Sequence, residues 1–370
     1  MDFTPTEAQQ DLEELTRQIV DKLATPERQR ELDRVDGGRF DDALWRALAE
    51  AGVLASALPE NVGGSGLGVL EQTTVLRELG RKLAAVPYLP SIVISAATLA
   101  EFGNDAQREL AQRAGTGEDV LTAALAEEMN YDLSAPVTRA ENIDGAWALT
   151  GTKITVPVAD RAARILVSAA TNAGVAVFVV DPSAEGVVVS AQDVVDYSPE
   201  FIVELNRASG ELVGTVEQGS EVLDFVLTRA AVGLTASQLG TLEEALKLVA
   251  DYARERVQFE RPIGSFQAVA QRLADAYIDV KGVRLALTQA AWAISEGLPA
   301  EAEVRTAKFW AADAGHRVSH TVIHVHGGVG LDREHPVHRY FLAAKHNEFA
   351  LGSATDQLRG LGAILAATPA

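Results

Sequence analysis

The chain has 370 residues, with 52 acidic and 32 basic side chains and a formal net charge of −20. Hydrophobic residues make up 47% of it, which suits two or three domains with buried cores and excludes a disordered chain. The absence of cysteine excludes disulfides, thiolate zinc sites and a cysteine nucleophile, and it fits a reducing cytoplasm. So acidic a chain repels phosphate backbones, and nucleic acid is not an expected partner.

Neither a signal peptide nor a membrane span is expected. The N-terminal stretch MDFTPTE lacks the basic and apolar regions of a signal peptide. The most apolar stretch, residues 83–100, contains Pro87 and Pro90, whereas a spanning helix needs about 20 apolar residues in a row. It is predicted to be a turn followed by a buried helix with Ser91 as its N-cap. The sequence thus predicts a soluble, cytoplasmic protein with no membrane contact.

The pattern of residues predicts an α+β protein in three successive parts. Residues 1–119 form an N-terminal all-α domain, in which Asp41 caps a helix that runs through Leu48 and PENVGGSGLG is a loop. Residues 120–220 carry short β-branched runs between Gly, Asp, Asn and Pro, which predicts an antiparallel sheet or β-barrel rather than βαβ units. Residues 221–370 carry three long apolar stripes with helical spacing, which predict long antiparallel helices packed into a bundle and report burial, not chemistry.

Two glycine-rich segments, residues 63–68 and 327–330, do not match the dinucleotide-binding fingerprint. Neither follows a strand and opens a helix, so a Rossmann domain is not predicted. The first is an ordinary loop. The second follows a helix, and it is either a glycine C-cap or a place where backbone approaches a ligand closely.

Four histidines are candidates for a metal site. His316, His320 and His324 are four residues apart and share a helix face, and His326 follows. Two histidines four residues apart on a helix are a known zinc geometry, but there is no H-E-x-x-H motif. Histidines that pack helices or contact a cofactor are favoured, and no metal is predicted.

The segment RVQFERPIGSFQ, residues 256–267, links the first two long helices of the bundle. It places an Arg, two aromatic residues and two amides in a Pro/Gly turn. Arginine binds pyrophosphate in a bidentate manner, and the aromatic rings can stack on a planar group. The segment is therefore a candidate ligand site.

Taken with PENVGGSGLG and HVHGGVGLDREHPVHRYFLAAK, this segment and the helix–β–helix order resemble the flavin-dependent acyl-CoA dehydrogenases. The resemblance covers essentially the whole chain, and it implies that the C-terminal bundle, residues 221–370, is a four-helix bundle. It implies an FAD bound at a subunit interface and oxidation of an acyl-CoA to the 2,3-enoyl-CoA, a β-oxidation step of lipid metabolism. A Glu removes the α-proton while the β-hydride passes to the flavin.

The resemblance also implies which residues grip the ADP half of an FAD whose ring lies in the neighbouring subunit. His324 stands where the family usually has Gln, and Glu260 stands where it usually has Gly. The positions that correspond to the family's ADP contacts are Arg256, Gln258, Phe259, Phe266, Gln267, His324, Val325, Gly327 and Gly328.

The same resemblance implies that this chain lacks the catalytic Glu. The tetrad ALGS at residues 350–353 stands where the family has Tyr-Glu-Gly-Thr, and Leu351 takes the place of the base. A minority of the family carries the Glu at the start of the first long C-terminal helix, where residues 228–231 here read TRAA. No catalytic residue is therefore expected in this chain, and Glu348 is the alternative.

The flavin-ring half of the site departs from the family as well. EEMNYD at residues 127–132 replaces T-E-P-x-A-G-S-D. The later G-T-K-x-W-I-T element begins intact at Gly151 but then places Thr155 at the backing aromatic and Pro157 at the hydrogen-bonding Ser/Thr. Proline also lacks an N–H.

One hypothesis accounts for this asymmetry: the chain completes a site with a homologous catalytic partner. The pattern resembles the non-catalytic subunit of the actinobacterial α2β2 acyl-CoA dehydrogenases that shorten steroid side chains. It implies a steroid-CoA substrate, a role in steroid catabolism and an acceptor such as an electron-transfer flavoprotein. The alternatives are a self-sufficient homotetramer with a relocated base, starting at Glu348, and a structural subunit without cofactor.

Overall fold

The computed structural model describes residues 3–34 and 38–367, so Met1 and Asp2 of the N-terminal stretch lie outside it. The helices are α1 Glu7–Leu23, α2 Pro26–Leu32, α3 Asp42–Glu50, α4 Val69–Arg81, α5 Ala97–Phe102, α6 Asp105–Gly115, α7 Gly219–Glu255, α8 Gln267–Ser295, α9 Glu301–His326, α10 Val337–Phe349 and α11 Ala354–Ala367. The strands are β1 Leu121–Ala124, β2 Arg139–Ile143, β3 Ala146–Pro157, β4 Arg164–Thr171, β5 Gly174–Val180, β6 Val187–Gln192, β7 Glu200–Leu212, β8 Val257–Gln258 and β9 Arg261–Pro262. The predicted order of helices, strands and helices is confirmed.

The described residues form two compact units. One comprises residues 27–34, 38–72 and 85–230, and the other comprises residues 3–26, 73–84 and 231–367. The boundaries at residues 119 and 220 stay a prediction.

In the first of these units, seven strands form one sheet that closes on itself. Its hydrogen-bonded order is β1-β4-β2-β3-β7-β5, β5 returns to β4, and β6 pairs with the start of β7. The core inside it includes Leu149, Val167, Phe178 and Val203, all at most 1% exposed. The predicted antiparallel β-barrel needs correction at two strand pairs, because β1 and β2 pair with β4 in parallel. The β2–β3 hairpin intervenes between β1 and β4, so β4 returns beside β1 in the same direction.

The N-terminal helices confirm one predicted cap and correct another. Asp41 accepts a hydrogen bond from Leu44 N at 3.3 Å and caps α3, as predicted. The apolar stretch, however, forms a π-helical segment, Tyr88–Ala96, that begins after Pro87. Ser91 is inside that segment, and its Oγ accepts from Leu121 N at 3.0 Å. The Ser91 hydroxyl thus satisfies the start of a buried strand instead of a helix end.

In the other unit, the predicted apolar stripes form the core of packed helices. Leu239, Val283, Ala307 and Val318 are all at most 2% exposed. Gln238 lies among them, and its Nε2 donates to backbone oxygens of α9 and α10 at 3.3 and 3.1 Å. Among the described helices, α7 alone is long and apolar enough to span a bilayer, and 61% of its apolar window is buried, as in a core helix.

Candidate functional site

The connection between α7 and α8 is a β-hairpin with a strained turn. Strands β8 and β9 pair antiparallel, and Phe259 and Glu260 form the two-residue turn with φ of +51° and +64°. A turn with two positive φ angles is of the I′ type and favours Asn-Gly. The Phe259 ring is 86% exposed at its tip. The backbone of this turn is therefore strained, and it holds an aromatic ring exposed at the surface. Residues 256–266 are called the hairpin below.

The base of the hairpin is fastened by contacts within it. Ile263 N donates to Arg256 O at 2.8 Å. The Phe266 and Phe259 rings meet edge to face, with their centroids 6.2 Å apart. The Arg261 guanidinium lies 4.1 Å from the centroid of the Phe266 ring. The two aromatic residues that the sequence singled out are therefore brought together, with a cation beside them.

The polar side chains of this segment are exposed. Gln258 Nε2 donates to Val257 O at 2.9 Å. Within the described residues, the Arg256 guanidinium and the Gln267 amide have no hydrogen-bond partner, and both are exposed. Their donors are available to a ligand.

The end of α9 leaves its backbone open. Gly327 follows the helix as its C-cap with φ +63° and ψ −138°, which is one of the two alternatives that the sequence left open. A Cβ placed on Gly327 or Gly328 would meet no atom within 4 Å, so packing in this chain does not demand glycine at Gly328. His324 is exposed, whereas the Val325 side chain is only 9% exposed and faces the helix packing. Gly327 and Gly328 are called the diglycine segment below.

A stacked pair of rings joins the two segments. Tyr252, in the last turn of α7, lies on His326, the last residue of α9, with ring centroids 4.5 Å apart and planes inclined by 23°. Arg256 N donates to Tyr252 O at 2.8 Å. The structure thereby brings the hairpin and the diglycine segment together. Sequence reasoning missed Tyr252, whose spacing of four before Arg256 was the available signal.

The histidines do not form a metal centre. Among the described residues, no group of three or more His, Asp or Glu side chains is placed to hold a metal ion. The His316 and His320 rings lie 4.5 Å apart. His316 Nδ1 lies 3.2 Å from Glu348 Oε1 and 3.1 Å from Lys345 Nζ.

A groove of about 750 Å³ lies between α8 and α9 and was not foreseen from the sequence. Arg317 lines this groove, and its guanidinium donates two hydrogen bonds of 2.8 Å to the Asp279 carboxylate. Its lining is Ala268, Gln271, Arg272, Asp275, Ala276, Ile278, Asp279, His316, Arg317, His320 and Thr321.

The tetrad at residues 350–353 is the turn between α10 and α11. Leu351 has φ +58°, and its carbonyl accepts from Gln357 Nε2 at 3.0 Å. Beneath the turn lies Lys308, which is fully buried and donates to three backbone oxygens, those of Asn347 and Glu348 at the end of α10 and that of Gly352 in the turn. Burial lowers the pKa of Lys308 to about 8, although nearby carboxylates oppose this. The turn is rigidly held and carries no carboxylate.

Glu348, the alternative base, is engaged inside the protein. Its side chain is 12% exposed, with Oε1 at 3.2 Å from His316 Nδ1 and Oε2 at 2.6 Å from Lys345 Nζ. Both carboxylate oxygens therefore have partners. The second place for a base carries no carboxylate either: residues 228–231 lie in the third and fourth turns of α7, not at its start as expected.

In the unit that contains the seven-stranded sheet, the loop that replaces the flavin-ring element forms hydrogen bonds within its own chain. Glu127 Oε1 accepts from Lys153 Nζ and Thr138 N, both at 2.8 Å, and Oε2 accepts from Val137 N at 2.7 Å and Asn130 Nδ2 at 2.9 Å. Burial opposes ionisation, but these hydrogen bonds outweigh it and lower the pKa of Glu127 to about 2. The carboxylate has no capacity left for a ligand.

The second flavin-ring element, which begins at Gly151, also forms hydrogen bonds within its own chain. Thr155 N donates to Gln192 Oε1 at 2.8 Å, and the Thr155 backbone has φ +49°. Pro157 O accepts from Thr122 Oγ1 at 2.6 Å. The donors that a flavin ring would need at these positions are used internally or absent.

Comparison with known proteins identifies the family of the chain. The models of the acyl-CoA dehydrogenase N-terminal and C-terminal domains match residues 6–114 and 217–365. Acyl-CoA dehydrogenase FadE27 of Mycobacterium tuberculosis is 52% identical over the full length of both chains. A chain of the ChsE4-ChsE5 complex from the same organism is 52% identical with a TM-score of 0.95, and the alignment covers 100% of both chains. A chain of the Tcur3481-Tcur3483 steroid ACAD G363A variant is 38% identical with a TM-score of 0.93 over 98% of both.

These matches cover more than half of the chain with family models and all of it with a relative far above 30% identity. The chain therefore belongs to the acyl-CoA dehydrogenase family of FAD-dependent oxidoreductases.

Proposed function

We propose that this chain is the subunit without a base in a hetero-oligomeric acyl-CoA dehydrogenase. It supplies the contacts to the ADP half of FAD, and a homologous partner supplies the ring contacts and the catalytic Glu. The proposal rests above all on Leu351, because a leucine cannot take a proton and it occupies the held turn between α10 and α11.

The remaining half of the site supports the proposal by its chemistry. Arg256 offers exposed guanidinium donors that match a pyrophosphate in charge and geometry. The diglycine segment offers open backbone with room for a close approach. We assign the ADP-half contacts to Arg256, Gln258, Phe259, Phe266, Gln267, His324, Gly327 and Gly328, and to the backbone of Val325.

The roles of this chain in the reaction are binding and positioning. When bound, FAD accepts the β-hydride of the acyl-CoA. The Arg256 guanidinium neutralises phosphate charge, and Phe259 extends the contact with its exposed ring. The α-proton goes to a carboxylate of the partner, since the Glu348 oxygens are held by His316 and Lys345.

We further propose that the substrate is a steroid or cholesterol side-chain CoA ester. The support is the likeness to the Tcur3481-Tcur3483 steroid ACAD and to the ChsE4-ChsE5 complex, each named for two chains. On this proposal the enzyme works in the cytoplasm, in β-oxidation of a steroid side chain, and its electrons leave through an acceptor such as an electron-transfer flavoprotein.

The test is to express the chain alone and together with the homologous chain encoded beside it, and to measure mass and FAD per chain. We expect a tetramer with one FAD per two chains from co-expression, and a lone chain that is free of flavin. A lone homotetramer with one FAD per chain and turnover would overturn the proposal in favour of a relocated base. A complex without flavin would instead indicate a structural subunit.

A further inference from the structure

We propose that His326 is a positioning residue: its neutral imidazole fastens the hairpin to the diglycine segment, so that retention of FAD requires His326 to be uncharged. The inference rests on the proposed function for the identity of the ligand. No part of it uses the base or the flavin ring.

The contacts of His326 define its protonation. The side chain is 4% exposed, and Nδ1 lies 2.8 Å from Val322 O. A carbonyl oxygen only accepts hydrogen bonds, so Nδ1 carries a proton. In the neutral form Nε2 is then a bare lone pair, and the ring face stacks on Tyr252 at 4.5 Å.

The surroundings of His326 disfavour a second proton. His335 is the one titratable side chain of the described residues whose charge acts on it, with ring centroids 5.4 Å apart. His335 Nδ1 accepts from Val337 N at 3.3 Å, so its own proton is on Nε2. Burial lowers the pKa of His326, its hydrogen bond to Val322 opposes this, and a charge on His335 lowers it further. Asp332 acts on His335, not on His326.

A second proton would therefore create a buried cation without a carboxylate. Attraction between an imidazolium and the Tyr252 ring offsets part of the lost hydration. The rest is recovered only if His326 leaves its site for water. Tyr252 then loses the ring that covers it. The hairpin, whose Arg256 N donates to Tyr252 O at 2.8 Å, thereby loses its anchor to α9.

The experiment uses the FAD-loaded complex with its partner and compares wild type, His326→Phe and His326→Ala. The FAD dissociation constant is measured by flavin fluorescence from pH 7.5 to 5. The binding of FAD to wild type should weaken as the pH falls, by up to about tenfold per pH unit below the His326 pKa. His326→Phe keeps the stack but cannot titrate, so its constant should change less than about twofold. His326→Ala should bind weakly at every pH.

His316→Gln is the matched control, because this exposed histidine on the same helix should keep the wild-type profile. A second readout needs no flavin: trypsin cleavage after Arg256 in the lone chain at pH 7.5. It should accelerate about tenfold in His326→Ala and stay near wild type in His326→Phe, if opening limits cleavage.

Two results would overturn the inference: a His326→Phe profile that falls with pH like wild type, or equal cleavage rates for wild type and His326→Ala. A complex that holds no FAD at pH 7.5 would instead count against the proposed function. The trypsin comparison would still decide the role of His326.

Discussion

Lys153 Nζ lies 2.8 Å from Glu127 Oε1, and both side chains are almost fully shielded from water. Lys153 also donates to Ser168 Oγ at 3.1 Å. The pair joins β3 to the loop after β1, where the family resemblance implies ring contacts. A buried ion pair with its hydrogen bonds complete resists rearrangement, because removing either partner leaves an uncompensated charge.

We expect Lys153→Met to lower the free energy of unfolding by roughly 3–5 kcal/mol, since the Glu127 carboxylate is left buried without its cation. The double variant Lys153→Met/Glu127→Gln should recover part of that loss. Urea denaturation of the four members of this cycle measures the coupling. Additive losses would show that the pair is not coupled.

The same pair gives an acid dependence. The folded-state pKa of Glu127 is about 2, below its ordinary value of 4.5. Its stabilisation is therefore complete above pH 4.5 and is lost as the pH falls towards 2. The stability difference between wild type and Glu127→Gln should shrink over that range.

Lys308 predicts a dependence at alkaline pH with the opposite origin. Its pKa is about 8 in the folded chain and 10.5 ordinarily, so the unfolded chain binds more protons between these values. The free energy of unfolding should thus rise from pH 8 to 10.5, with a slope of at most about 1.4 kcal/mol per pH unit from this group. Lys308→Met should remove the rise, whereas Lys247→Met, on the exposed face of α7, should keep it. Identical slopes in wild type and Lys308→Met would refute this.

Glu260→Gly should stabilise the chain by about 1 kcal/mol, because glycine adopts the observed φ of +64° without the penalty of an L side chain. Glu255→Gly, in the last turn of α7, is the control and should destabilise by up to about 1 kcal/mol. Thermal unfolding of both variants is the measurement. A loss of stability in Glu260→Gly would mean that the Glu side chain makes a contact worth more than the strain.

Arg256→Ala in the complex should raise the FAD dissociation constant about 10- to 100-fold, through loss of a charge-assisted phosphate contact worth about 1.5–3 kcal/mol. Arg254→Ala is the control, since that side chain pairs with Asp251 one turn earlier. Flavin titration of both complexes gives the answer. Unchanged binding in Arg256→Ala would remove the main support for the ADP-half assignment.

Glu348→Gln in the complex should leave turnover within about threefold of wild type, because its carboxylate serves His316 and Lys345. A general base that is removed costs about 100- to 10,000-fold. Single-turnover reduction of the flavin by acyl-CoA separates the two cases, with Lys345→Met as the control for loss of the ion pair. A loss of the larger size in Glu348→Gln alone would establish a relocated base.

Sequence by itself determined the order of helices, strands and helices, the Asp41 cap and the glycine that ends α9, because these depend on local periodicity and on φ preference. It failed at Ser91, whose hydroxyl serves a strand from a distant part of the chain. It failed too for the parallel strand pairs, which depend on non-local chain return.

Tertiary structure alone decided which polar groups are free and which are already used. Glu127, Thr155 and Glu348 have the residue types of a site, but their partners lie 10 or more positions away for most contacts and cannot be read from spacing. The stack of Tyr252 on His326 likewise joins two helices through rings that neither motif contains. A hydrogen bond or stack is a property of positions in space, so periodicity predicts burial and leaves such partners undetermined.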